Sequence, residues 1–309
     1  MQIDYSTFYY TLPGLAIMVI AESIEMVVER RFNNEKKNLF ASLCIGVVAI
    51  GISAFTKTSI FVIYDWVYQF RLFTLHSNEW WVWVIAFLGD DFSYYWLHRC
   101  NHQVRFFWAS HSVHHSAETF TFTTGIRVPW TSNLTGNFLF WLWMPLIGIS
   151  PALVIIMKSI SVIYQFWLHT EKIKKLPKCL EAIFNTPSHH RVHHGTDADY
   201  LDKNYGGTLI VFDHLFGTFL KETHRAVYGL TTKIKSSNPV VIAFNEWGNL
   251  IKDLKKAKTI GDCVNFMFNA PGWSNDGNSK TTSTLRYGTN KKTLYNKLPA
   301  ALINKTRQV

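Results

Sequence analysis

The sequence has little charge and no paired cysteines. Of its 309 residues only 17% are charged, whereas an ordinary soluble domain has about 25%. Hydrophobic residues make up 48% and aromatic residues 16%, including 12 Trp. This composition excludes a disordered chain, a collagen and a coiled coil, and it argues against a plain cytosolic globule. The four cysteines include no CxxC pair, so neither a disulfide framework nor a thiolate metal site is indicated.

Acidic residues are scarcer than basic ones, and the formal net charge is +10. The basic residues follow apolar segments instead of forming one stripe, so we do not expect a nucleic-acid partner. Lys and Arg beside membrane segments favour the cytosolic side, where they face anionic lipid. The two basic groups are Arg30, Arg31, Lys36 and Lys37, and Lys172, Lys174, Lys175 and Lys178.

Several apolar segments predict membrane helices, because a hydrocarbon core of about 30 Å needs roughly 17–25 helical residues. They cover residues 8–28, 39–55, 79–97 and a hairpin over 134–168 that turns at 148–151. We place residues 60–75 at the membrane interface, which puts every histidine-rich segment on the cytosolic face. The expected fold class is an all-α integral membrane protein whose transmembrane helices carry a cytosolic, helical, histidine-rich catalytic lobe.

Three regions are expected along the chain. Residues 1–78 form N-terminal membrane helices, 79–235 a catalytic domain, and 236–309 an amphipathic segment followed by a tail. The segment 240–270 mixes apolar side chains with lysines, which is typical of a helix lying on a membrane surface, and equally of an ordinary packing helix. Residues 273–309 are rich in Asn, Ser, Thr and Lys, so we expect a loosely ordered tail.

Histidines are unusually frequent and unevenly spread. Eight of the 13 lie in three short clusters: His98 and His102 in HRCNH, His111, His114 and His115 in HSVHH, and His190, His193 and His194 in HRVHH. On a helix, positions i, i+3 and i+4 share one face, so each triplet presents its imidazoles to one point. Chance would give far less than one HxxHH triplet at this histidine frequency, and the sequence has two.

Such a cluster predicts a metal site. Neutral imidazole binds Fe, Zn, Cu and Ni, and eight ligands are enough for two ions. A single structural zinc needs only four ligands and would leave the others unused. A membrane zinc-binding protein without redox activity remains an alternative, although the spans 39–55 and 134–157 contain no charged residue that would line a transport path.

Other residues are candidates for the same site. His169, in QFWLHTE at the end of the hairpin, is expected on the same face as the clusters and is a ninth candidate ligand. Asp91 lies seven residues before His98, where its carboxylate can hold the second N–H of a ligand imidazole. Glu118 is either such a support or a plain surface carboxylate. His189 points about 100° away from His190 on a helix, so we expect it to support the site from outside or to lie at the surface.

The words around these clusters resemble one known family. The segments that carry the resemblance are DDFSYYWLHRCNH, FFWASHSVHHSAE, YQFWLHTE, NTPSHHRVHHG, DKNYGG, FDHLFGTF and NAPGW. They are similar to the fatty acid hydroxylase (sterol desaturase) superfamily of membrane di-iron enzymes, and within it to the alkylglycerol monooxygenase branch. The resemblance covers about residues 79–235. It implies that His98, His102, His111, His114, His115, His190, His193 and His194, with His169 in addition, hold two irons that activate O2 and attack a lipid C–H bond.

The resemblance also bears on substrate and reductant. The branch hydroxylates the ether-linked carbon of a glycerol ether with tetrahydrobiopterin as reductant. Gln103 departs from the branch, which has an acidic residue after the second histidine of the first cluster. A hydroxylase or desaturase of another acyl or isoprenoid lipid with a different external electron donor is therefore the alternative. We expect the inner membrane of a bacterium in preference to the endoplasmic reticulum.

Overall fold

The computed structural model describes residues 6–287, and within that range the chain is helical, as predicted. In the described residues, β pairing is limited to two isolated antiparallel bridges, Phe184 with Leu209 and Gly195 with Tyr228. The helices are α1 (Ser6–Val28), α2 (Phe32–Tyr68), α3 (Trp80–Gln103), α4 (Arg105–His115), α5 (Phe122–Gly125), a 3₁₀ helix (Asn137–Trp141), α6 (Trp143–Ile147), α7 (Pro151–Phe166), α8 (Lys178–Ile183), α9 (Pro187–His194), α10 (Val211–Phe216), α11 (Pro239–Leu254), α12 (Ile260–Phe268) and α13 (Thr282–Tyr287).

The second helix is longer than the sequence predicts. α2 has 37 residues and runs without a break from the predicted span 39–55 into 60–68. Residues 60–68 therefore do not form a separate interfacial segment, because the stretch 52–68 contains neither Gly nor Pro to end the helix. Among the described residues, α2 is the one helix long and apolar enough to cross a membrane. Val47, Ile50 and Phe55 on its outer side are 65–80% exposed, which suits contact with lipid.

The apolar hairpin has the predicted turn. Gly148 adopts a left-handed φ of +109°, and a Cβ there would lie 2.1 Å from the carbonyl oxygen of Phe73. Ser150 then caps α7 by accepting a hydrogen bond from Leu153 N, and Pro151 occupies the first helical position. Both arms are shorter than a membrane span, since α7 has 16 residues and the other arm is split between the 3₁₀ helix and α6.

The main apolar core lies where α3 packs against α7 and the 3₁₀ helix. It consists of Tyr64, Val82, Ala86, Leu97, Trp141, Met144, Ile149, Leu153, Val154 and Met157. Asp90 and Asp91 are buried inside this packing instead of facing lipid. Asp90 Oδ1 accepts a hydrogen bond of 2.7 Å from Trp141 Nε1. This core fixes the direction of α3 and hence the position of its histidines.

Helix α11 packs against α4, in agreement with a packing helix. The buried guanidinium of Arg105 on α4 bonds to Glu246 Oε1 at 3.1 Å and to Asp253 Oδ2 at 2.7 Å. The outer side of α11 still exposes apolar side chains, among them Val240 and Phe244. The packing interpretation is thus confirmed, and contact of the outer side with a membrane surface stays a prediction.

Residues 273–287, the first part of the expected loose tail, form hydrogen bonds with the rest of the chain. Lys280 N donates to Gly272 O at 2.7 Å, and Arg286 Nε on α13 donates to Ala198 O at 2.9 Å. These hydrogen bonds hold α13 against the loop after α9. The rest of the tail lies outside the described residues.

The turn at Gly148 gives a test of the hairpin. We expect Gly148→Ala to destabilise the protein by about 2 kcal/mol or more, because alanine is strained at this φ and its Cβ meets the Phe73 carbonyl. The midpoint of thermal unfolding in detergent, followed by circular dichroism, should fall by about 4 °C or more. Gly51→Ala in α2, where a Cβ meets nothing within 4 Å, is the control and should not lower it. Equal midpoints for the two variants would contradict the described turn.

Candidate metal centre

All nine predicted histidines come together in two adjoining groups. One contains His98, His102, His111, His115 and His193; the other contains His114, His169, His190 and His194. Within each group the ligand nitrogens lie within 4.8 Å of one another. Seven of the nine side chains are buried, and His111 and His114 are partly buried. The two groups touch, since the rings of His115 and His194 stack at 4.3 Å.

Helical spacing explains how each helix serves both groups. His111 and His115 are one turn apart on α4 and belong to the first group, whereas His114 lies beside them and belongs to the second. On α9, His193 joins the first group, and His190 joins the second. The HxxHH pattern thus places one helix across two neighbouring sites.

The Nε2 atoms of these rings converge. In the first group His98 lies 3.1 Å from His111, and His115 lies 3.2 Å from both His111 and His193. In the second group His169 lies 3.2 Å from His114 and 3.0 Å from His190, and His194 lies 3.2 Å from His190. Ligands of one ion at about 2.1 Å and at right angles are about 3.0 Å apart, so this spacing fits a shared metal ion.

In three of these histidines the second ring nitrogen, Nδ1, donates a hydrogen bond to a backbone carbonyl, which leaves an unprotonated Nε2 pointing into the site. Nδ1–H of His98 donates to Tyr205 O at 2.8 Å, that of His193 to Lys203 O at 3.0 Å, and that of His169 to Gln165 O at 2.9 Å. A neutral imidazole protonated at Nδ1 has an unprotonated Nε2. His102 Nε2 is buried without a hydrogen-bond partner among the described residues. Lone pairs that converge in this way fit a cation.

Burial keeps several of these rings neutral. Desolvation, reinforced by the neighbouring imidazoles, holds the pKa values of His111, His115 and His194 well below the ordinary range. The pKa of His169 falls to about 4, chiefly through burial. Metal ligation requires neutral imidazole, so at neutral pH the site needs no deprotonation to accept an ion.

The loop 203–209 orients two of the ligands, and it is held by two buried carboxylates. Asp213 accepts hydrogen bonds from Tyr205 N at 2.8 Å and Gly206 N at 2.7 Å. Asp91 accepts from Thr208 N at 2.7 Å and Leu209 N at 2.9 Å. The expected direct bond from Asp91 to an imidazole is therefore wrong: Asp91 supports the ligands through this loop.

A different carboxylate takes the position expected for Asp91. Asp202 Oδ1 lies 3.5 Å from His102 Nδ1. Asp202 and Asn204 both have a left-handed φ of +55°, which turns the loop back toward the histidines. A Cβ on Gly207 would lie 2.8 Å from Asp91 Oδ1, so the loop can approach α3 only with glycine there.

Sequence reasoning about single residues missed this supporting network. Asn185 Nδ2 donates to Gly206 O at 2.6 Å, and Asn204 Nδ2 donates to His189 O at 3.1 Å. Arg191 is buried and lies between His190 and His193 in the sequence of α9. It donates to Thr170 O at 3.0 Å and to Ile173 O at 2.7 Å, in the segment that directly follows His169. The segments DKNYGG and FDHLFGTF pointed to this region, because they contributed to the family resemblance. They did not show which groups their side chains bond to.

Two residues considered as supports of the site, Glu118 and His189, do not contact the metal ligands through their side chains in the described part of the chain. Glu118 is exposed and pairs with Lys233 at 3.1 Å, in agreement with the surface alternative. His189 is buried, but it belongs to neither group; its Nε2 lies 3.9 Å from Glu181 Oε2, and its ring packs on Phe219. His189 is thus a buried neighbour of the site, not a surface residue.

Comparison with known proteins agrees with this centre. Residues 83–218 match the family model described as fatty acid hydroxylase, a range that contains all nine histidines. The chain belongs to the fatty acid hydroxylase family. No solved structure matches it.

Curated members of the family resemble the chain over a longer stretch. It is 34% identical over 262 residues to alkylglycerol monooxygenase of Homo sapiens, covering 84% of this chain and 58% of the relative. It is 38% identical over 213 residues to that of Xenopus tropicalis, covering 68% and 46%. It is 32% identical over 146 residues to ornithine lipid hydroxylase OlsE of Rhizobium tropici, covering 44% and 41%. The chain thus spans about half the length of the curated relatives it matches.

The role of Asp91 can be tested directly. Asp91→Asn replaces one acceptor by an amide that faces a backbone N–H, so we expect loop 203–209 to loosen. Hydrogen exchange at its amides should accelerate, and affinity for added Fe²⁺ should fall about 10–100-fold, as for other residues that support ligands. The matched control is Asp65→Asn at an exposed position of α2. Unchanged exchange and affinity would show that the loop does not depend on Asp91.

Proposed function

We propose that this protein is a membrane-bound di-iron oxygenase that uses O2 to hydroxylate a C–H bond of a lipid. The observation that carries the proposal is the pair of adjoining histidine groups with inward-facing Nε2 atoms. In this proposal His98, His102, His111, His115 and His193 hold one iron, and His114, His169, His190 and His194 hold the other. The bound irons would supply O2 activation and attack on the C–H bond.

The donor set favours iron over a non-redox zinc site. Structural zinc is almost always four-coordinate, whereas one group offers five imidazoles. Two touching sites with nitrogen ligands suit a redox pair of transition metals better than two independent structural ions. The relatives named monooxygenase and hydroxylase support the same choice. A membrane zinc-binding protein remains the alternative that metal analysis decides.

The protein's own part in such chemistry is to position the ligands and exclude water. Carbonyls of Lys203, Tyr205 and Gln165 set the ring orientation, and Asp91 and Asp213 hold the loop that supplies two of them. The buried rings leave little room for solvent, which limits side reactions of an activated oxidant.

We also propose that the centre faces the cytosol. Lys172, three residues after His169, pairs with Glu25 and lies 3.7 Å from Glu29 at the end of α1. The basic residues after α1 and those at 172–178 therefore lie at the same end of the molecule as His169. An excess of Lys and Arg at one end of membrane helices favours the cytosolic side.

For the substrate we propose a glycerol ether, hydroxylated at the ether-linked carbon, with tetrahydrobiopterin as reductant. Similarity to the alkylglycerol monooxygenases supports this choice. The alternative is hydroxylation or desaturation of another lipid chain with a different external electron donor, and similarity to an ornithine lipid hydroxylase supports that breadth. Gln103, where the branch has an acidic residue, is exposed and accepts a hydrogen bond from Arg99 Nε at 3.3 Å.

Metal analysis tests the central proposal. The purified protein should contain two irons per chain, one for each group. His114→Ala and His193→Ala each remove a ligand from a different group, so each should lower the iron content and abolish O2-dependent lipid hydroxylation. His76→Ala, at an exposed position outside both histidine groups, should leave both unchanged. One zinc and no iron in protein expressed with both metals available would refute the di-iron proposal.

Product analysis tests the reaction. With an alkyl chain labelled at the ether-linked carbon, hydroxylation there forms an unstable hemiacetal, and the label should be recovered as a fatty aldehyde. Turnover should require O2 and be supported by tetrahydrobiopterin. Labelled vinyl ether would indicate desaturation instead, and turnover with reduced ferredoxin alone would indicate another electron donor.

A further inference from the structure

A polar cavity lies in the otherwise apolar packing between α3, the 3₁₀ helix and α7. Its volume is about 150 Å³. Polar side chains that line it include Asp90, Asn133, Asn137, Lys158 and Ser161. Buried ionisable residues cost free energy unless they are paired, and a cavity with a few convergent polar groups is a candidate binding site. The histidine groups do not use this cavity's polar side chains.

Opposite charges meet in this cavity without a direct contact. Asp90 and Lys158 both line it, yet no salt bridge of 4.0 Å or less joins them in the described part of the chain. The Lys158 ammonium lies 2.9 Å from the centre of the Trp141 ring, and Trp141 Nε1 donates to Asp90 Oδ1. A ligand hydroxyl can donate a hydrogen bond to the Asp90 carboxylate and accept one from the Lys158 ammonium, and so link the two side chains.

Two residues that line the cavity are close in the chain to residues that adjoin the first histidine group. Leu97 lines it and immediately precedes His98 on α3. Ser132 also lines it and follows Thr131, whose Oγ1 donates to Ser110 Oγ at 3.0 Å, next to His111. The cavity therefore lies beside the segments of α3 and of the loop at 131–132 that adjoin the first histidine group.

We propose that this cavity binds an uncharged, hydroxyl-bearing head group of glyceryl size; the inference rests on the proposed lipid oxygenase function. A cavity of about 150 Å³ accommodates about six heavy atoms, as a glyceryl group has. One cation and one carboxylate give no net charge, and the amides and hydroxyls supply both donors and acceptors. A phosphate ester would exceed the volume and face Asp90. Val162, which lines the cavity and is 62% exposed, marks the opening toward lipid.

Binding measurements test this assignment independently of turnover. A labelled 1-O-alkylglycerol should bind the purified protein in detergent, without O2 or reductant, at least about tenfold more tightly than its 3-phosphate. Lys158→Met should weaken alkylglycerol binding at least about tenfold, since the hydroxyl loses its charged donor. Lys57→Met, at an exposed position of α2, is the control and should bind as the unmodified protein does. Val162→Trp should also weaken binding by blocking the opening, with Val47→Trp on the outer side of α2 as its control.

The outcomes separate this inference from the proposed function. Equal affinity for the alkylglycerol and its phosphate, or unchanged binding by both Lys158→Met and Val162→Trp, would overturn the head-group site even if iron-dependent hydroxylation is observed. Selective binding that is lost in these two variants would support the site even if the protein contained no iron, in which case only the oxygenase proposal fails. A protein that hydroxylates other lipids but does not bind the alkylglycerol would also overturn it.

Discussion

Hydrogen bonds from imidazole Nδ1 atoms to backbone carbonyls are the interaction on which the rest of the site depends. They turn the Nε2 lone pairs of His98, His169 and His193 inward, toward the other rings. The carbonyls of residues 203 and 205 lie on an irregular loop, which has no helix ladder to hold it. The buried carboxylates of Asp91 and Asp213 supply the acceptors that the loop's amides need, because an unpaired buried amide would be costly.

Burial in a medium of low polarity explains why so many polar side chains are needed. The rings of His111, His115, His169 and His194 stay neutral because desolvation lowers their pKa values, and neutral imidazole is the form that binds a metal ion. Arg191 and Asn185 lie inside the same region and satisfy backbone carbonyls of segments that flank the ligands. The polar network thus fixes the positions of the ligand imidazoles, whereas the apolar core of α3 and α7 supplies most of the packing.

Helix α3 connects the two polar regions of the molecule. Its last turns carry His98 and His102, and Asp90, two turns earlier, lines the proposed head-group cavity. One rigid helix therefore sets the distance between the metal centre and the cavity. Such an arrangement lets a lipid be oriented by its head group while the reacting carbon is presented to the metal centre.

The sequence by itself determined the helical class, the hairpin turn at Gly148 and the eight clustered histidines that meet, because these depend on local spacing: helical periodicity, a turn residue and the i, i+3, i+4 pattern. His169 lies outside that pattern and was expected from the topology of the hairpin. The sequence-based division of α2 into a span at 39–55 and an interfacial segment at 60–75 was wrong, because no helix-breaking residue separates the two. Only the tertiary structure decided the division into five and four histidines, and the partners of Asp91 and Asp202. Asp91 bonds to amides at Thr208 and Leu209, more than a hundred residues along the chain. Contacts at such separation depend on how the helices pack, which no local pattern encodes.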